Sequence, residues 1–296
     1  MKKKILAGIL GLSILLPTQA FANETVTFDK LDVPAGKVDL TELPLEHQNK
    51  LSERSKVIGS YFDELMNIRA EISSLEIEMS QQRNLGGISP YKLTHLNELN
   101  EKLNYYENNS LEIAGLVEID PDSQDSLVQP FSSKDQVTVD KPKVYFDNDS
   151  KLYVGETNWR WTSNSDINNS GNDGIGITNT QETLSIFDFY VNTWDQKGNK
   201  YYNIGLNPET SSAGYHLEFN DSSNGATYRG HIGQSWFFFK FYNGTPVNKS
   251  VNFNTTYTHT YSGTLIDSVT VGWGTFSIGF IGSNKWDRKN EAAISF

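Results

Sequence analysis

Cysteine is absent from all 296 residues. That excludes a disulfide frame, a thiol nucleophile, a sulfur-ligated metal and a lipidated cysteine behind a leader. Basic charge is also scarce, at 25 Lys and Arg against 36 Asp and Glu. Such a field repels phosphate backbones, so no nucleic-acid partner is expected. Long apolar runs are lacking after the first 22 residues, so the chain beyond them carries no expected transmembrane span. The five histidines (His47, His95, His216, His231 and His259) show no metal-binding spacing, and neither a nucleophile elbow nor a phosphate-cradling loop is found. The sequence leans away from an enzyme.

The first 22 residues fix an expected compartment. Lys2, Lys3 and Lys4 are followed by the short apolar run Ile5–Leu16, and Ala20-Phe21-Ala22 has the small-x-small pattern of a cleavage site. The run is too short for a membrane helix, so the expectation is a signal peptide at 1–22, cleaved before Asn23, and a secreted protein in the extracellular space or at the cell surface.

What remains divides by composition. Residues 23–140 hold 22 acidic and 10 basic side chains, whereas 141–296 hold 14 and 12. Of 36 aromatic residues, 28 lie after position 140, including all six Trp. Pro121, Pro130 and Pro142 punctuate the seam. The expected organisation is an extended segment at 23–45, a helical hairpin at 46–117, a linker at 118–142 and a β domain at 143–296. The fold class is α+β as separate domains, an antiparallel coiled-coil-like hairpin followed by an all-β antiparallel sandwich or jelly roll.

The hairpin rests on periodicity. Leu51, Ile58, Leu65, Ile72 and Met79 recur every seven residues, with Tyr61, Ile68 and Leu75 three further on. Asn84-Leu85-Gly86-Gly87 breaks the pattern, and Ser89-Pro90 opens a second helix through Leu96, Leu99, Leu103, Tyr106 and Ile113. The first helix is the longer, so part of its seam packs on a second chain, as a homo-oligomer, or on the β domain. In the β half, about ten short strands separated by Gly, Asn, Asp and Ser clusters are read. In Leu184–Trp194, uninterrupted alternation sets Ile186, Asp188, Tyr190 and Asn192 against Phe187, Phe189 and Val191.

Three candidate sites follow. Trp159 and Trp161 share one face of a strand and read either as core or as a stacking platform for a glycan or cell-wall polymer. Asp166, Asn168, Ser170 and Asp173 alternate oxygen side chains ahead of a turning glycine, the opening of a calcium loop or an ordinary polar turn. Asp147-Asn148-Asp149 is a weaker version, read as a hairpin turn. Val251–Gly263, rich in Ser, Thr and Asn, resembles in composition the stem strands of aerolysin-like pore-forming toxins, which implies a membrane-active protein. Glu182, Asp188, Glu218 and Asp267 are carboxylates for a hydrolase with no recognisable signature.

Asn158-Trp-Arg-Trp161, Asp173-Gly-Ile-Gly-Ile177 and Thr193-Trp194-Asp195 together resemble secreted proteins of unknown function from Bacillus-like bacteria. The resemblance covers the start of the β half, implies secretion by a Gram-positive cell and brings no activity. The leading expectation is a non-catalytic extracellular binding protein, with a membrane-active protein next and a hydrolase third.

Overall fold

The computed structural model describes residues 26–83, 87, 89–119, 137–161, 172–203, 206–221, 223–224 and 227–296. The expected signal peptide and most of the expected linker lie outside them. The chain runs through strand β1 (Gly36–Lys37), helices α1 (Leu45–Arg83), α2 (Pro90–Asn108) and α3 (Ser110–Ala114), and strands β2 (Leu116–Ile119), β3 (Val137–Val139), β4 (Lys143–Asp147) and β5 (Tyr153–Trp161). It continues through β6 (Asn172–Asn179), β7 (Leu184–Trp194), β8 (Lys200–Asn203), β9 (Leu206–Ser211), β10 (Gly214–Asn220), β11 (Ser223–Asn224) and β12 (Thr227–Tyr228). The last strands are β13 (Ile232–Phe241), β14 (Ser250–Thr260), β15 (Leu265–Gly272), β16 (Thr275–Ile281) and β17 (Lys285–Ser295). The result is a few helices and a large, mostly antiparallel β part that forms no closed barrel among the described residues. No described helix is long and apolar enough to cross a membrane.

Eight strands form the first sheet, in the order β1-β7-β13-β5-β4-β2, with β3 added to β5 and β8 to β7. The second sheet has the order β17-β14-β6-β10-β9. The expectation of antiparallel pairing throughout is corrected at β1, which runs parallel to β7, Gly36 opposite Ser185. A parallel neighbour needs a long crossover, and the helices and β2–β6 supply one.

Sheet one is covered on both faces. Strand β13 records this, because Trp236 and Phe238 face the helices while Phe237 and Phe239 face sheet two. A strand buried on both sides reads as a continuous apolar run, as Trp236–Phe239 does. Leu51, Ile58, Tyr61, Phe62 and Leu65 of α1 share a core with Tyr145, Val154, Phe187, Trp236 and Phe238. Further along α1, Ile68, Ile72, Leu75 and Met79 pack on Leu99 of α2. The heptad seam therefore has two partners in succession, a sheet and then a helix. Ser89 caps α2 with Pro90 in its first turn, where a missing N–H costs nothing.

Asp147 and Asp149 lie in the β4–β5 turn. Arg54 of α1 reaches both, at 2.9 and 2.8 Å, and donates to the carbonyl of Ala114. The expected unbroken alternation in β7 is also corrected. The β13–β7 register shifts between Phe238 and Phe239, so Ile186 and Val191 face sheet two together while Phe187 and Tyr190 face α1. The inserted residue of a bulge switches faces in this way.

Phe62 is enclosed between Trp236 and Tyr145, with ring centroids at 5.6 and 5.8 Å. Phe62→Ala is expected to lower the unfolding free energy by about 3–5 kcal/mol in urea titration. A loss below about 1 kcal/mol would show that α1 is not part of the cooperative core.

Candidate functional site

The expected platform residues sit between the sheets. Trp159 and Trp161 are each 1% exposed. Trp159 stacks on Phe219 at 4.7 Å and donates its Nε1–H to the carbonyl of Gly230 at 3.1 Å. Trp161 donates to the Tyr257 hydroxyl at 3.1 Å and meets Tyr228 edge-on at 5.6 Å. Neither indole presents a face to solvent. Of the expected calcium loop, Asp166, Asn168 and Ser170 lie outside the described residues, and Asp173 is buried at the start of β6.

Trp161 and Asp173, named separately from sequence, meet in one network. The Tyr257 hydroxyl that accepts from Trp161 donates to Asp173 Oδ2. Asp173 Oδ1 accepts the Thr260 amide at 3.0 Å and lies 2.9 Å from His259 Nδ1. Asp221, which accepts from Tyr228 at 3.2 Å, has Oδ2 3.9 Å from the same His259 nitrogen. Burial, and then the charge of Asp173, push the Asp221 carboxyl well above the usual range. One donor atom each from Asp173, Asp221 and His259 falls within 4.8 Å of the others, a set chemically suited to a divalent cation. Protein donors already engage both Asp173 oxygens, so the network is complete as a clasp holding the end of β14 to the start of β6.

Four residues separate that clasp from β15, and among the described residues β15 and β16 pair only with each other. Their register sets Ile266 opposite Phe280, Val269 opposite Ile278 and Val271 opposite Phe276 on one side, with a bulge at Asp267. The other side carries Ser268, Thr270, Thr275 and Ser277, with Gly272 and Gly279, and the exposed pair Leu265–Ile281 next to the bend. This ribbon is thus apolar on one face and, beyond Leu265–Ile281, hydroxyl-lined on the other. Val251–Gly263, the stretch singled out from sequence, forms mainly the interior strand β14. The stronger alternation begins just after it, around the two-residue turn Trp273-Gly274.

The apolar face lies on the outer face of sheet two, and that face is polar. It is built from Thr178 of β6, His216 and Glu218 of β10, and Asn254, Thr256 and Thr258 of β14. Gly174 and Gly176 make the slot. A Cβ on Gly176 would stand 2.6 Å from the Phe276 ring, and one on Gly174 would stand 2.5 Å from His216 Nε2 and 3.2 Å from Ile266. Only glycine permits so close an approach. At the tip, the Gly274 amide donates to the Asn179 carbonyl at 2.8 Å, and Asn254 Nδ2 donates to the Gly274 carbonyl at 2.9 Å.

The ribbon and β14–β17 are one hairpin folded back on itself. Strand β14 pairs with β17 up to Thr260–Lys285, the Tyr261 amide continues the ladder to the Asn284 carbonyl at 3.1 Å, and Leu265–Ile281 resumes it. Ser262, Gly263 and Gly282 have φ of 52°, 81° and 106° at the fold. Left-handed backbone at these three places makes the sharp bend that folds the ribbon back.

A separate cleft of about 440 Å³ opens between α1 and β7, lined by Leu51, Ser52, Ser55, Lys56, Asp188 and Tyr190 among others. Burial raises the Asp188 carboxyl, against the Tyr190 hydroxyl that donates to it at 2.5 Å. The other carboxylates read from sequence stand apart: Glu182 pairs with Lys249, Glu218 accepts from Asn172 and Asn207 at 3.1 Å each, and Asp267 is exposed on β15.

Asp173→Asn removes the charge that Tyr257, His259 and Thr260 address. It is expected to cost about 3 kcal/mol in denaturant titration. Hydrogen exchange should quicken first at 257–264, and an unchanged exchange rate there would show that the clasp does not hold the hinge.

No family model matches the chain, and no curated protein matches it. Among solved structures, AvmM, described as catalysing macrocyclisation in alchivemycin A biosynthesis, is 8% identical and aligns over 58% of this chain and 97% of its own, with a TM-score of 0.26. That likeness is too slight to bear on fold or activity.

Proposed function

We infer that this is an exported, non-catalytic protein that acts on lipid membranes, with β15–β16 as the inserting element. In this reading the helical hairpin rides on a two-sheet sandwich that holds the ribbon in reserve. The observation that carries it is an amphipathic ribbon stored with its apolar side on a polar surface. Three apolar cross-strand pairs on one side, and Ser, Thr and Gly on the other apart from Leu265–Ile281 at the bend, is the pattern of a strand pair with lipid on one face and water on the other.

Length supports the same reading. A membrane strand needs about 9–11 residues, and β15 and β16 have eight and seven. Straightening the hinge adds 261–264 to one strand and 282–284 to the other, giving twelve and ten residues, long enough for both to span. Trp273 at the tip is 48% exposed and would rest in the far headgroup layer, where indoles concentrate. A single hairpin leaves open edges in lipid, so insertion requires several copies closing a barrel. Glycan binding through Trp159 and Trp161 is the weaker reading, because packed neighbours enclose both indoles.

The absence of cysteine gives a clean test. A Cβ built on Gly274 stands 3.6 Å from Thr180 Cβ, within the span a disulfide bridges. The double variant Thr180→Cys with Gly274→Cys should lock the tip when oxidised. Dye release from phosphatidylcholine–phosphatidylglycerol vesicles, assayed from pH 4.5 to 7.5, should be abolished in the oxidised form and restored by reductant. Equal release from both forms would overturn the ribbon's role. No release by the wild type at any pH would overturn the membrane reading itself.

A further inference from the structure

We propose that the ribbon is released by acid, with His216 as the sensing residue; this rests on the ribbon being the element that moves. His216 lies at the centre of the covered polar face, with 0% exposure. Phe276 of the ribbon packs on its ring at 5.5 Å, and Gly174 and Gly176 of β6 border it. Neither ring nitrogen has a hydrogen-bond partner. A neutral imidazole tolerates that enclosure poorly, and an imidazolium, with two donors and a charge, tolerates it far less. Lifting the ribbon gives both nitrogens to water.

The surroundings offer the charged form little compensation. On β9, Glu209 stands directly opposite His216 in the ladder and is exposed. On β10, Glu218 is two residues along the same face, its carboxylate occupied by Asn172 and Asn207. Strands β6 and β14 bring Gly176 and Thr256 into register beside it, and β16 brings Phe276. On β15, Asp267 is exposed at the bulge, and Lys285 at the start of β17 lies over the Phe280 ring. Burial alone lowers the His216 pKa to about 4. Thr178 Oγ1 and Asn254 Oδ1 on the same face are also buried without partners, so the ribbon covers polar atoms whose solvation is recovered on opening.

The sign follows from linkage. A base whose pKa is depressed in the closed form stabilises that form above its ordinary pKa of about 6.5, and the stabilisation is lost as pH falls toward the closed-form pKa. Between pH 7.5 and pH 5 the open-to-closed ratio rises roughly 30-fold, the shift set by a group moving from about 6.5 to about 4.

The test needs no membrane, which keeps it independent of the vesicle experiment. Hydrogen exchange of the full chain is measured at pH 7.5 and 5 and corrected for intrinsic rates. Protection of the Gly274 amide, which bonds the Asn179 carbonyl from ribbon to sheet, should fall roughly 30-fold, with β14 still protected. In His216→Leu the fall should vanish. His216→Gln, neutral and polar, should behave alike and serves where the leucine variant folds poorly. The same fall in either folded variant, or pH-independent protection in the wild type, would overturn acid sensing by His216 while leaving the vesicle result to decide the membrane reading.

Discussion

The structure depends on one packing constraint: sheet one is buried on both faces. Strand β13 sits at its centre and must satisfy α1 on one side and sheet two on the other, which Trp236 and Phe238, then Phe237 and Phe239, do alternately. Everything outside follows from that. The helices cannot leave without uncovering Trp236, and sheet two cannot leave without uncovering Trp159 and Trp161. Sheet two, by contrast, owes only its inner face to the core, which leaves its outer face free to be polar and to carry a removable cover.

The two contacts made by sheet two differ in kind. Its inner face meets matched apolar partners such as Phe219 against Trp159 and Phe253 against Phe239. Its outer face meets the apolar side of the ribbon with His216, Thr178 and Asn254, all holding buried atoms without partners. Burying apolar area gains roughly 25 cal/mol per Å², and each stranded polar atom returns about 1–3 kcal/mol of it. A cover built in this way is held weakly for its size. The clasp at Asp173 and the two hydrogen bonds at Gly274 do the holding, at the hinge and at the tip, and both are polar contacts that water or protons can replace.

Much of this was legible in the sequence. The heptads of α1 and the opening of α2 at Ser89-Pro90 follow from spacing and capping chemistry, and most strands follow from alternation. Strand β6 was not legible. Asp173-Gly174 reads as the close of a polar loop because glycine normally marks a turn, whereas here Gly174 and Gly176 are strand residues emptied to admit Phe276, Ile266 and His216. That signal needs knowledge of a third layer. The clasp was invisible for a related reason: Asp173 and His259 lie in separate strands and Asp221 just past the end of β10, and only the register brings them together. The bulge in β7 was equally hidden, since Ile186 to Val191 alternates well on paper.

The hinge is where sequence and mechanism meet most economically. A hairpin meant to stay folded back could end in any tight loop, but here the same two chain segments pair on both sides of the bend, at Thr260–Lys285 and Tyr261–Asn284 and again from Leu265–Ile281. Between them the Thr264 amide closes a turn on the Tyr261 carbonyl, and straightening exchanges that bond while leaving both ladders paired. What must change is the backbone at Ser262, Gly263 and Gly282, where glycine at two of three positions keeps extended conformations cheap to reach. The β14–β17 and β15–β16 registers of the folded-back form carry over to the straight form, with the extra residue of 262–264 against 282–283 left as a bulge between them, so opening requires lifting the ribbon from its polar bed and no re-pairing of these strands.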